Sequence, residues 1–374
     1  MVHYLDHAAS TPARPAAIEA MARQLVHGYG NPTGAHRLAR AANRVLDESR
    51  DIIADALGAT PGEVIFTAGG TEADNLAILG TLEARGGIAL CSAIEHHAVL
   101  DPVIHTGGVI VGVGSDGRID TEQLGRVLTP EVSVVSVMLA NNETGIVQPL
   151  GEVADIVRRR APQALLHTDA VQALPWVDVA DQCRVADLIS ISAHKFGGPQ
   201  GVGALVARAG VSLVPRLRGG GQERDRRSGT QNVAGIAAMA SAAAETVAER
   251  QAQVVRVGAL RDRLVDGLTG RLTGVVESGN RQDKTANIAH LCFEGVESEA
   301  LLFLLEKEDI MASAAASCSS GAMEPSHVLA AMGFSRSLAG GSLRLSLGYS
   351  TTEDDIEAAL AVIPPAVRRL RERG

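Results

Sequence analysis

Leu188-Ile189-Ser190-Ile191-Ser192-Ala193-His194-Lys195-Phe196-Gly197-Gly198-Pro199 is the most telling stretch of the chain. Leu188 to Ser192 is a short, largely apolar run rich in β-branched residues, which predicts a buried strand. A lysine and a Gly-Gly-Pro turn follow at once. A solvated loop lysine is the ordinary reading of Lys195. The alternative is an amine held at the end of a buried strand, where desolvation opposes its charge and suits it to forming a covalent imine. Ser192 and His194 beside it are suited to donate to a phosphate.

Two further stretches share this layout. Leu166-His167-Thr168-Asp169-Ala170-Val171-Gln172 ends an apolar run in an aspartate. A buried carboxylate there needs a partner, either a helix start that it caps or a cationic ring nitrogen. Ala68-Gly69-Gly70-Thr71-Glu72 follows the β-type run Glu63 to Thr67 and opens a helical pattern from Thr71 to Leu82. It reads as a plain turn with a Thr cap, or as a cradle whose N–H groups bind phosphate.

Further β-type runs are Ile88 to Ser92, Val109 to Val113, Val132 to Leu139, Leu165 to Thr168 and Gly203 to Val206, with helical segments between several of them, including Leu38 to Leu57. This alternation predicts an α/β domain around a mostly parallel sheet, with ligands at the carboxyl ends of its strands. The Ala-rich stretch Val233 to Leu268 reads as a long linking helix. Beyond it, strand (Ile288 to Phe293), helix (Ser298 to Lys307), a loop of small residues, helix, strand (Ser342 to Leu347) and terminal helix (Thr352 to Arg371) suggest a smaller α+β unit.

Composition narrows the function. Of 374 residues 46% are hydrophobic but only 2% aromatic, which leaves few platforms for stacking bases. A formal charge of -9, with the densest basic clusters at Arg158-Arg159-Arg160 and Arg224 to Arg227, argues against a nucleic-acid partner. The sequence has no apolar window of membrane-spanning length, and its N-terminus has no signal-like pattern. The four cysteines, Cys91, Cys183, Cys292 and Cys318, show no metal-ligand spacing, so no metal site is expected. Few, scattered cysteines in a chain this long fit a reducing cytoplasm.

The ordered motifs resemble the class V, fold-type I pyridoxal-phosphate enzymes, and within them the NifS/IscS-like cysteine desulfurases. They run from Tyr4-Leu5-Asp6-His7-Ala8-Ala9 through Phe66 to Asn75, Glu95-His96-His97-Ala98-Val99-Leu100, Asn141-Asn142-Glu143-Thr144-Gly145, Ala193-His194-Lys195 and Arg227-Ser228-Gly229-Thr230. They end with Cys318 to His327 and Leu343-Arg344-Leu345-Ser346-Leu347-Gly348. The resemblance implies a large cofactor-binding domain (15–257) with a mostly parallel seven-stranded sheet. It also implies a smaller α+β domain (1–14 and 258–374) that carries the Cys318 loop.

The same resemblance implies roles. Lys195 would hold pyridoxal 5'-phosphate covalently and later take the substrate's α-proton. Asp169 would pair with the pyridine nitrogen, Gln172 with the ring phenolate oxygen, and His96, otherwise a core histidine, would stack on the ring. Gly70, Thr71, Ser192 and His194 would hold the phosphate, and Thr230 would reach the phosphate of the partner subunit in a homodimer. Asn142 and Arg344 would bind the carboxylate of L-cysteine. The Cys318 thiolate would attack the substrate sulfur, giving a persulfide and L-alanine. Small neighbours on both sides of Cys318 suit an exposed nucleophile, whereas Cys292, beside Leu291 and Phe293, reads as core.

A selenocysteine lyase or a cysteine desulfhydrase would share every cofactor residue. There are departures from the family pattern. Ala315-Ala316-Ser317 replaces the usual Ser-Gly-Ser-Ala before the cysteine, and Asp225 stands where a small residue is usual. The chain stops soon after its last helix, whereas members that feed an iron–sulfur scaffold often carry a longer tail. The sulfur-acceptor protein, for cluster assembly or thio-modification, is left open.

Overall fold

A computed structural model describes residues 2–314 and 326–372; Cys318 lies outside the described residues. The central sheet has seven strands, in the order Val64–Thr67, Gly203–Ala207, Leu188–Ser192, Leu165–Asp169, Val132–Ser136, Ile88–Ser92 and Val109–Val111. Only Gly203–Ala207 runs antiparallel to its neighbours, and the remaining pairs are parallel. All residues of the Leu165–Asp169, Leu188–Ser192 and Gly203–Ala207 strands are buried, as expected for strands covered on both faces.

Two predicted strands end early. The Val132 run leaves the regular ladder after Ser136, although Val137 and Leu139 still donate to the His167 and Asp169 carbonyls at 3.0 and 2.9 Å. The Val109 run stops at Val111, and Val113 turns away to bridge Ile119.

The alanine-rich stretch is one helix of 37 residues, Val233–Thr269, capped by the Asn232 side chain, which accepts from the Gly235 N–H. Its residues up to Ala243 pack into the core of the central sheet. From Val257 onward they pack into a second core built on the antiparallel strands Val275–Glu277, Ile288–Phe293 and Ser342–Ser346. The N-terminal segment belongs to that second core through Leu5. It pairs His3–Tyr4 with Ile310–Met311, and the Ala8 N–H donates to Ser346 Oγ at 2.9 Å. This pairing carries residues 6–9 to the carboxyl edge of the central sheet. No helix among the described residues is long and apolar enough to cross a membrane.

Candidate active site

Five strands of the central sheet, Val64–Thr67, Ile88–Ser92, Val132–Ser136, Leu165–Asp169 and Leu188–Ser192, point their carboxyl ends to one edge. The loops that leave them enclose a cavity of about 380 Å³. It is lined by Gly70, Thr71, His96, Asn142, Asp169, Gln172, Ser192, His194, Lys195 and Arg344, which the sequence reading singled out. Thr230 is exposed and does not line the cavity of its own chain.

At the floor, the Asp169 carboxylate accepts from the Val171 N–H at 2.8 Å. Burial raises its pKa, and the neighbouring His96 and Lys195 oppose that rise. Lys195 follows Ser192 in a single turn of 3-10 helix, and its Nζ donates to the Ala8 and Ala9 carbonyls at 2.6 and 2.9 Å. The Gln172 Nε2 donates to the same Ala8 carbonyl at 2.7 Å. The N-terminal segment therefore sets the position of both side chains.

His96 caps the helix His97–His105, and its Nδ1 accepts from the Ala98 N–H at 3.1 Å. A backbone N–H can only donate, so Nδ1 carries a lone pair and the proton of the neutral ring sits on Nε2. Burial lowers the pKa of this ring. His194 is driven down to about 4, chiefly by burial and also by the charge of Lys195.

The Gly69–Gly70 turn opens the helix Gly70–Arg85, whose first N–H groups lack intrahelical partners. A Cβ at Gly70 would lie 2.8 Å from Val171 Cγ2, and one at Gly203 would lie 2.8 Å from Gly69 Cα. Only glycine lets these segments close into an anion cradle beside Ser192.

Arg344 stands on the strand Ser342–Ser346 and is 5% exposed. Its Nη2 donates to Asp6 Oδ1 at 2.7 Å and its Nη1 to the Asn142 carbonyl at 2.9 Å. Its Nε is shielded from solvent and has no partner among the described residues. Asp6 and the Asn142 carbonyl thus fix the guanidinium of a residue that lines the cavity.

Sequence reasoning missed Asp6 and Asp74. Asp74 also lines the cavity and is 1% exposed, 3.5 Å from His167 Nε2. Both His167 ring nitrogens are matched by serines, Ser136 Oγ at 2.8 Å and Ser190 Oγ at 3.0 Å. Burial takes His167 down to about 3 and holds Asp74 well above the usual carboxylate range, with Asp169 adding to the rise. Burial thus disfavours the charged form of both partners in this contact. The available signal was spacing: Asp74 is four residues after Gly70, on the same helix face as the cradle.

A lysine amine, a buried carboxylate and an anion cradle at the carboxyl edge of a mostly parallel sheet define the fold-type I class of pyridoxal-phosphate enzymes. The chain belongs to the class V aminotransferase family, whose model matches residues 3–359. An IscS-like cysteine desulfurase of Mycobacterium tuberculosis is 43% identical, over 98% of this chain and 97% of the relative. Among solved structures, a NifS-like protein superposes with a TM-score of 0.92 at 33% identity, covering 99% of this chain and 100% of its own. SspA, solved in complex with cysteine, matches at a TM-score of 0.79 and 29% identity, over 94% of this chain and 100% of its own.

Proposed function

We propose that this chain is a pyridoxal-phosphate-dependent cysteine desulfurase that converts L-cysteine to L-alanine and takes the sulfur on Cys318. The observation that carries this reading is the meeting of Lys195, Asp169, the Gly70–Thr71 cradle and Arg344 around one cavity.

The donor set fits pyridoxal phosphate. The cradle N–H groups with Thr71, Ser192 and His194 match a phosphate, and the buried Asp169 carboxylate matches a protonated pyridine nitrogen. Gln172 would face the ring oxygen, His96 would stack on the ring, and the Lys195 amine would bind the aldehyde. When bound, the cofactor supplies an electron sink for the charge left at the substrate's α-carbon.

The chain's own residues do the rest. Arg344, with Asn142, holds the substrate carboxylate. Asp169 would keep the proton on the pyridine nitrogen. The Lys195 amine takes the α-proton. The Cys318 thiolate then attacks the substrate sulfur: a sulfur–sulfur bond forms, the carbon–sulfur bond breaks, and its electron pair stays with the carbon that becomes the methyl group of alanine. Mass spectrometry after brief exposure to L-cysteine is expected to show added sulfur on Cys318 alone. Alanine formed with no added sulfur would overturn this assignment.

Arg344→Ala is expected to weaken L-cysteine binding about ten- to a hundred-fold, because a charged hydrogen-bonding contact of roughly 1.5–3 kcal/mol is lost. Cofactor retention should not change. A spectral titration with L-cysteine measures both.

We further propose a homodimer with shared sites, in which Thr230 reaches the partner's phosphate. Sedimentation should return twice the chain mass for the active species, and an active monomer would refute it. The division into 15–257 and 1–14 with 258–374 is supported by the two separate cores that the Val233–Thr269 helix joins. A cytoplasmic location agrees with three free cysteines among the described residues. The sulfur goes on to an acceptor protein, for iron–sulfur cluster assembly or thio-modification, which persulfide trapping would identify.

A further inference from the structure

Glu223, Arg224 and Asp225 are three consecutive non-glycine residues with left-handed backbones, at φ 49°, 57° and 63°. Contact between Cβ and the following carbonyl opposes this conformation in L-residues, and such a run persists only where its surroundings hold it. Two side chains of the run are anchored: Arg224 Nη2 donates to the Val64 carbonyl at 2.6 Å, and Glu223 makes the larger set of bonds. It is buried, and its carboxylate accepts from Arg50 Nη1 at 2.8 Å and Arg50 Nη2 at 2.9 Å, from the Phe66 N–H at 3.0 Å and from Gln231 Nε2 at 3.3 Å.

Arg50 is itself fixed. It donates to the Val64 carbonyl at 2.8 Å and lies 4.5 Å over the Phe66 ring. Because Gln231 adjoins Thr230, one carboxylate ties both ends of the segment 223–231. Arg227 adds a third tie, donating from Nε to Glu72 Oε1 at 2.8 Å, next to Thr71 of the anion cradle. Between these ties Gly229 has φ 112° and Thr230 is exposed.

Neither Arg50 nor Glu223 lines the active-site cavity of its own chain. Two side-chain atoms of the segment, Arg226 Nη1 and Gln231 Oε1, are shielded yet lack partners among the described residues. Outside the cradle a second cavity of about 500 Å³, lined by Gly70, Thr71, Ser192, His194 and Gln200, is open toward solvent.

We infer that Glu223 is a positioning residue: clamped by Arg50, it holds residues 223–225 left-handed and so presents Thr230 to the anion cradle of a second copy of this chain. The inference rests on the shared-site homodimer proposed above.

The test measures the dissociation constant of pyridoxal phosphate by absorbance titration of the full chain, with sedimentation and far-ultraviolet circular dichroism alongside. Glu223→Gln keeps the shape but loses the charge, and should raise the constant about ten-fold. Thr230→Val should raise it comparably, with the dimer intact in both variants. Adding Asp225→Gly to Glu223→Gln should recover most of the loss, since glycine adopts positive φ without steric cost. A merely structural defect would not be mended in this way. If Glu223→Gln does not fold, Arg50→Lys carries the test, because it keeps the charge and loses the paired bonds, and it should weaken the cofactor in the same direction. Cofactor affinity unchanged in Glu223→Gln but lowered in Thr230→Val would overturn the clamp and leave the shared site standing. Affinity unchanged in Thr230→Val would overturn the shared site itself. Failure of Asp225→Gly to restore binding would overturn the positioning role.

Discussion

Cys318→Ser is expected to bind the cofactor and L-cysteine and to release almost no alanine, a loss of roughly a thousand-fold or more. The two halves of the reaction need different groups. Lys195, Asp169 and Arg344 suffice to bind the amino acid and remove its α-proton, but lifting off the sulfur needs a soft nucleophile. A serine hydroxyl keeps the shape of the thiol and is a poor nucleophile near neutral pH. No other cysteine can stand in. Cys91, Cys183 and Cys292 are buried, and burial pushes all three thiols up, Cys183 and Cys292 to about 12. Their thiolate fractions are therefore negligible. Cys91→Ser and Cys292→Ser should stay active, with modest stability losses. Alanine released by Cys318→Ser at the wild-type rate would point instead to a direct lyase of the selenocysteine or desulfhydrase kind.

The second large effect concerns Lys195. Lys195→Ala should lose both the covalent hold on pyridoxal phosphate and the base for the α-proton. General-base catalysis alone is worth roughly 10²–10⁴-fold. The Ala8 and Ala9 carbonyls hold the amine at the cavity, and among the described residues no other lysine lines it. The wild-type protein should be yellow, and borohydride reduction followed by peptide mapping should find the cofactor on Lys195. The variant should yield no labelled peptide. A colourless wild-type protein that ignores added pyridoxal phosphate would defeat the cofactor assignment as a whole.

Much of the frame was legible in the chain. Ile88–Ser92, Leu188–Ser192 and Ile288–Phe293 fold with the bounds read from sequence, because each is a largely apolar run of strand length. The reversed direction of Gly203–Ala207 was not read. Its connection from Ser192 is short, and a parallel neighbour would need a crossover of a dozen residues or more. Arg344 on a strand carries no mark of its own. Its role came from the family resemblance, and its orientation is set where the N-terminal segment returns beside Ser342–Ser346 and brings Asp6 against it.

What the sequence by itself determined is local. The apolar runs, the glycines that close the cradle and the order of motifs identify the strands, the turn chemistry and the family, since these depend on near neighbours and backbone sterics. Tertiary structure alone decided the gathering of Asp169, His96, Lys195 and Arg344 at one sheet edge, the burial of Asp74 beside His167, and the clamp of Glu223 by Arg50. Charge state and side-chain orientation in these groups depend on desolvation and on partners distant along the chain, and both arise only when the strands and the N-terminal segment have packed together.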